Sequence, residues 1–161
     1  PAPFPIGTPG SATKAITVAA ASVPIPGYID GGLTADFSSR GPTLRSPLKP
    51  DVAAPGGAGG SLGQKPQLIY GPTTGLLDSV IDGVEDEWGG LRGTSKATPE
   101  VTGLVALLME RYTFTFSQLE AALAARSRRR GWGKDLEQGW GFIDGVALAS
   151  YMEAHAMRRA S

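Results

Sequence analysis

Apolar positions in this chain fall in short runs fenced by glycine and proline, and the runs change character near residue 93. Before that point they are small or β-branched. "KAITVAAAS", Lys14 to Ser22, follows a Pro/Gly turn and reads as a buried strand. "YIDGGLTADFSS" turns at Asp30-Gly31-Gly32 and comes back, and "KPDVAAPGG" is an extended piece between Pro50 and Pro55. "QLIYGPTTG" and "LLDSVIDGVEDEWGG" read as strand or hairpin material. After residue 93 the period changes. "VTGLVALLMERY" is apolar nearly all round, which predicts a helix running from about Ser95 to Arg111 and buried on all sides except near Glu110 and Arg111, with Leu107 in the core. "TFSQLEAALAARS" predicts a second helix, with Ser117 and Glu120 at capping-box spacing and Leu119, Ala122 and Leu123 on one face. A third spans about Asp144 to Met157. Strands followed by helices fit an α/β layered domain, or half of one.

Composition narrows the picture. With 161 residues, 41% of them hydrophobic, the chain can bury a core of its own. A formal net charge of zero gives no electrostatic case for nucleic acid or an anionic membrane. The absence of cysteine removes disulfides and thiolate metal sites. No apolar run approaches the ~20 residues that span a bilayer. "PAPFPIGTPG" has neither the charged nor the apolar region of a signal peptide and no initial Met, so an internal start is expected. Gly at 23 and Pro at 13 imply many tight turns. There is one histidine, His155, and no asparagine, and both facts restrict what the chain can catalyse unaided.

The most pointed local pattern is "GTSKATPEVTG", Gly93 to Gly103, where a small polar turn enters the apolar helix with a proline close behind. Serine and threonine are the common N-caps and proline is favoured just inside a helix, so Ser95 or Thr98 could simply cap. The same position also suits chemistry. A hydroxyl at a helix N-terminus faces unpaired backbone N–H groups and the positive end of the dipole, which can stabilise an oxyanion formed when it attacks a carbonyl. The preceding glycine lets a substrate backbone approach. Pro99 removes a donor to the Ser95 carbonyl, a small loss if it lies in the first turn.

These residues resemble the subtilisin-like serine proteases. "GTSKATPEVTGLVALL" is similar to the family's nucleophile segment, Gly-Thr-Ser-x-Ala-[Ser/Thr]-Pro-x-Val-x-Gly. "FSSRGP" (Phe37 to Pro42), "KPDVAAPG" (Lys49 to Gly56) and "GWGFIDGVALA" resemble further family segments in the family's order, and "PAPFPIGTPGSATKAITVAA" resembles the stretch after the oxyanion asparagine. Residues 1–161 are therefore read as the C-terminal part of one subtilisin-like peptidase domain: three layers, a mostly parallel sheet, and a central buried helix starting at the nucleophile. The resemblance implies that Ser95 is the nucleophile and that Thr94 assists the oxyanion hole. It implies that Gly7, Thr8 and Pro9 form part of the pocket for the side chain before the scissile bond, with a cis bond at Thr8–Pro9. It also implies a polypeptide substrate and a secreted or extracellular setting.

The chain departs from the family at several points. The family's Asp and His, and its oxyanion Asn, would lie upstream of Pro1. A Ser-before-His order belongs to folds with Gly-x-Ser-x-Gly, which Gly-Thr-Ser-Lys-Ala does not match, so His155 reads as a surface residue. Lys96 stands where the family commonly has an apolar residue, and Glu100 where it often has His. A Lys96–Glu100 pair at i,i+4 would satisfy both. Family members often bind calcium, but Asp78, Asp82, Glu85, Asp86 and Glu87 lack EF-hand spacing, so no metal ligand is assigned. "RSRRRGW" reads as a solvated turn. Two classes of function remain: a serine endopeptidase whose missing upstream segment supplies Asp, His and Asn, leaving this chain inactive alone; or a non-catalytic remnant or binding module. A third option is a split protease whose two chains reassemble.

Overall fold

A computed structural model describes residues 4–23, 32–58, 67–73, 88–128 and 133–158. At its centre β1 (Val18–Ala21) pairs in parallel with β2 (Val52–Pro55), Val18 opposite Val52 and Ala21 opposite Pro55. The strand predicted over 14–22 is shorter than its apolar run, because only these four residues enter the ladder. The sheet is extended on the β2 side by a parallel bridge from Ala53 to Phe142, and on the β1 side by an antiparallel bridge from Ala21 to Thr34. Both faces are covered. Val18, Ala20, Val52 and Ala54 belong to the main core, while Ala19, Ala21 and Ala53 pack on Phe142. Strands buried on both faces do not alternate in polarity, which is why "VAAA" reads as a continuous run.

α1 (Thr94–Arg111) lies across β1 and β2 and inserts Ala97 and Val101 into the core. Alanines in both strands and at position 97 let the helix axis approach the sheet closely. The expectation of burial on all sides holds for one face only. Ala97, Val101 and Leu108 are buried, whereas Leu107 is 65% and Met109 49% exposed. The reason is the number of layers: among the described residues the sheet and the third helix cover α1 from one side, and none covers the other.

β3 (Ile69–Pro72) and β4 (Trp88–Leu91), read from sequence as strand or hairpin material, pair antiparallel, Ile69 opposite Leu91 and Pro72 opposite Trp88. The acidic stretch between them lies outside the described residues. β5 (Tyr112–Thr113) follows α1 directly and pairs with β6 (Met157–Arg158). Between these two strands, α2 (Phe116–Arg126) and α3 (Gly145–His155) pack together, with Leu119, Ala122, Leu123, Leu148 and Met152 buried. The capping box of α2 is not Ser117 with Glu120. Thr115 accepts from the Gln118 N–H and the Gln118 side chain accepts from the Thr115 N–H. Both pairs have the same spacing, and the helix begins at the earlier one. Asp144 caps α3 by accepting from Ala147 N–H at 3.0 Å.

Beneath β1 and β2 lies a buried charge cluster. Lys49 and Asp51 are 1% and 2% exposed. Lys49 Nζ donates to Asp51 Oδ2 at 2.5 Å and to the Ala15 carbonyl at 2.6 Å. Lys134 Nζ donates to Asp51 Oδ1 at 2.7 Å, and the Thr17 N–H to Asp51 Oδ2 at 2.7 Å. Every oxygen of the carboxylate is therefore occupied, as a buried charge requires. Among the described residues no helix is long and apolar enough to cross a membrane.

Candidate active site

The turn that presents Ser95 is hung from the end of β2. Gly56, just after the strand, accepts the Gly93 N–H at 2.8 Å. A Cβ at Gly56 would come within 2.5 Å of Ala20 Cβ and 3.0 Å of the Gly93 carbonyl, so the contact requires glycine. Gly93 is the N-cap of α1, with φ 150° and ψ 163°, a conformation essentially reserved for glycine. No side chain caps this helix. Ser95 is its second residue and is exposed, and the hydroxyl makes no capping bond.

The first-turn amides are only partly paired within the helix. The Gly93 carbonyl accepts from Lys96 N–H at 2.9 Å and from Ala97 N–H at 3.4 Å. The Thr94 and Ser95 N–H groups precede these and have no intrahelical acceptor, so they remain as donors at the positive end of an 18-residue helix. Because the helix begins at Thr94, Pro99 sits in its second turn, one turn later than expected. The cost is the helical donor to the Ser95 carbonyl.

Beside the turn is a cavity of about 370 Å³. Gly7 and Pro9 line it from the N-terminal loop, Ile16 and Val18 from β1 and the residues leading into it, and Thr94 and Thr98 from one face of α1. Three of the five residues singled out from sequence, Gly7, Pro9 and Thr94, thus meet at one cavity. Thr8 stands at its edge, exposed, and the Thr8–Pro9 peptide is cis, as expected. The loop is held by Ser11 N–H donating to the Gly7 carbonyl and by Thr17 Oγ1 donating to the Gly10 carbonyl at 2.6 Å. Among the described residues the other cis peptides, Gly41–Pro42 and Lys49–Pro50, lie in two of the further family-like segments.

His155 is remote from this site. Its ring stacks on Tyr151 at 4.0 Å and Nδ1 lies 2.8 Å from the Tyr151 carbonyl. It precedes β6, which pairs with β5 at the far end of α1, so the length of the helix, ~25 Å at 1.5 Å per residue, separates it from Ser95. Lys96 is half-buried and makes no ion pair with Glu100, which is exposed. Lysine N-terminal to glutamate is the weaker i,i+4 orientation. Asp78, Asp82, Glu85, Asp86 and Glu87 lie outside the described residues, and so does most of the 126–132 turn. Among the described residues no group of three His, Cys, Asp or Glu side chains could hold a metal ion. What the sequence did not reveal is the Lys49–Asp51–Lys134 cluster, which supports the cavity floor through Ala15 and Thr17. Only Lys49 and Asp51 are close in sequence, and nothing local links them to Lys134.

The sequence profile of the subtilase family matches residues 1–141. The chain belongs to the subtilase family. It is 38% identical over 125 residues to pyrolysin of Pyrococcus furiosus, a match that covers 65% of this chain and 8% of pyrolysin. It is 34% identical over 111 residues to the serine protease AprX of Bacillus subtilis, covering 65% of this chain and 22% of AprX. Among solved structures, MycP1 with its N-terminal propeptide removed superposes with a TM-score of 0.56 at 30% identity, over 89% of this chain and 39% of MycP1. A lanthipeptide protease superposes with a TM-score of 0.63 at 19% identity, over 90% of this chain and 43% of the protease, and supports the fold alone. This subtilase chain thus spans less than a quarter of these curated relatives and about two fifths of the structural ones.

Proposed function

We propose that this chain is the nucleophile-bearing part of a serine endopeptidase that cleaves polypeptides through an acyl-enzyme. The observation that carries the reading is Ser95 itself: an exposed hydroxyl at the second position of a helix, free of any capping bond, beside first-turn amides with no intrahelical acceptor. In the proposed reaction Ser95 Oγ attacks the scissile carbonyl carbon. A histidine from a complementing segment takes the hydroxyl proton, and an aspartate holds that histidine in the correct tautomer. Charge moves to the carbonyl oxygen, where the Ser95 N–H and an asparagine of the complementing segment donate to it, with the Thr94 hydroxyl assisting. The histidine then returns its proton to the leaving amine, and water releases the acyl group by the reverse sequence. The cavity lined by Gly7 and Pro9, with Thr8 at its edge, holds the side chain before the scissile bond.

A serine without a base is a weak nucleophile at neutral pH, so the chain alone is inactive. By family resemblance the active protein works outside the cell. A fluorophosphonate probe tests this on three proteins: the chain alone, the chain joined to a segment carrying Asp, His and Asn, and that joined protein with Ser95→Ala. Labelling is expected only in the second. Strong labelling of the chain alone would reveal another base, and labelling of the Ser95→Ala protein another nucleophile. A folded, joined protein that resists labelling would establish the second reading, a non-catalytic remnant. The observation favouring that reading is Lys96, a half-buried cation next to the serine.

A further inference from the structure

Two cations bracket Ser95, Arg92 three residues before it and Lys96 one after. Arg92 is exposed and leaves the end of β4, with its guanidinium carbon 5.9 Å from the centroid of the Phe37 ring. Phe37 is partly buried against the main core, so it is a fixed rest for the guanidinium plane. Lys96 is half-buried at the start of α1. Among the described residues neither lies within 4.0 Å of a carboxylate, whereas Arg40, Lys49, Arg128, Lys134 and Arg158 each hold one. Glu100, one turn beyond Lys96, is exposed and does not engage it.

Helix geometry decides which part of a substrate Lys96 meets. Thr94 and Thr98 share the face of α1 that lines the cavity. At ~100° per residue, Lys96 projects roughly 160–200° away from both. The cavity and Lys96 therefore lie on opposite sides of the Ser95 turn. A peptide threaded past Ser95 with one side chain in the cavity has its leaving half over Lys96, and Arg92 enters the same turn directly from the end of β4. We infer that Arg92 and Lys96 form a cationic subsite that selects peptides with an acidic side chain immediately after the scissile bond. This deepens the proposed function and rests on Ser95 being the nucleophile. A carboxylate there meets a compact ammonium and a planar guanidinium already oriented by Phe37, so little side-chain order is lost on binding.

The test uses the full-length protein with its complementing segment and peptide pairs that differ only by Glu or Gln after the cleaved bond. The Glu peptide is expected to show a kcat/KM roughly three- to tenfold higher, the size expected for two partly exposed ion pairs. The ratio falls towards one in Arg92→Gln/Lys96→Met and at about 1 M salt, where the screening length is about 3 Å. A second arm does not depend on chemistry: fluorescence anisotropy of the same labelled peptides on the Ser95→Ala protein, where the Glu peptide binds more tightly by a similar factor. Equal rates and equal binding for Glu and Gln overturn the inference, as does a preference that survives loss of both cations. If hydrolysis is absent while binding remains acid-selective, the endopeptidase reading falls and the cationic subsite stands. If both are absent, both fall.

Discussion

Gly93 shows how much of the site depends on one residue without a side chain. Its φ of 150° turns the chain from β4 into α1 and sets Ser95 at the second helical position. Space is not the constraint, since a Cβ there would meet only the Ser95 nitrogen, at 3.7 Å. The constraint is the backbone conformation. Gly93→Ala is expected to cost roughly 1–3 kcal/mol, read as a lower urea midpoint, with disproportionate loss of probe labelling in the joined protein because the turn must move. At the charge cluster, Asp51→Ala leaves two ammonium groups without a counter-charge, Lys49 fully buried and Lys134 11% exposed. Breaking such a cluster typically costs about 3–5 kcal/mol, and Lys134→Ala should cost distinctly less because Lys49 still neutralises the carboxylate. Urea titrations of the two variants check that order. Ser95 was legible in sequence because its turn, glycine and helix are contiguous. The Asp51 cluster was not, because its partner Lys134 stands 83 positions away.

Among the elements, the helices were placed well and their contexts less so. Leu119, Ala122 and Leu123 of α2 face the core as their spacing predicts, since one short helix against one neighbour buries one stripe. The all-apolar α1 did not fit that rule, because how many sides of a helix are buried depends on layers that its own sequence does not describe. Its two central leucines now separate sharply. Leu108 is 4% exposed and Leu107 65%. In this chain Leu108→Ala is expected to cost about 2–5 kcal/mol, while Leu107→Ala stays within about 0.5 kcal/mol, as surface substitutions do. Thermal melts distinguish the two. The cap of α3 adds a pH dependence. The Ala147 N–H, and then Arg128, whose Nε donates to the carboxylate at 2.8 Å, hold the Asp144 carboxyl below its usual range. Its folded-state proton affinity is thus lower than in the unfolded chain. The stabilisation is complete above the ordinary value of ~3.9 and is lost as pH falls through the lower folded one. Asp144→Ala should therefore cost ~0.5–2 kcal/mol at neutral pH, and the difference from the parent should shrink steadily in melts below about pH 4.

At the scale of the whole molecule, the exposed side of α1 and the family relationship bear on each other. A helix carrying Leu107 and Met109 outward, beginning beside the serine proposed as nucleophile, is what half of a layered domain would present, and the chain matches about two fifths of each structural relative. The three methionines make this measurable. Met109 is 49% exposed on α1, Met157 75% exposed on β6, and Met152 1% exposed inside α3. Peroxide converts exposed methionine to sulfoxide while a packed one resists. In this chain alone, Met157 and Met109 should oxidise readily and Met152 slowly. When the segment carrying Asp, His and Asn is joined, Met109 should fall to the rate of Met152, because the face it stands on becomes an interior. Met157, at the opposite end of α1 from Ser95, serves as the internal standard for reagent and time. Mass spectrometry of the three peptides at matched exposure gives the ratio directly. If Met109 remains as reactive as Met157 in the joined protein, the outer face of α1 is a true surface. The complementing segment would then dock elsewhere or not at all, and the acyl-enzyme proposed at Ser95 would have no base within reach.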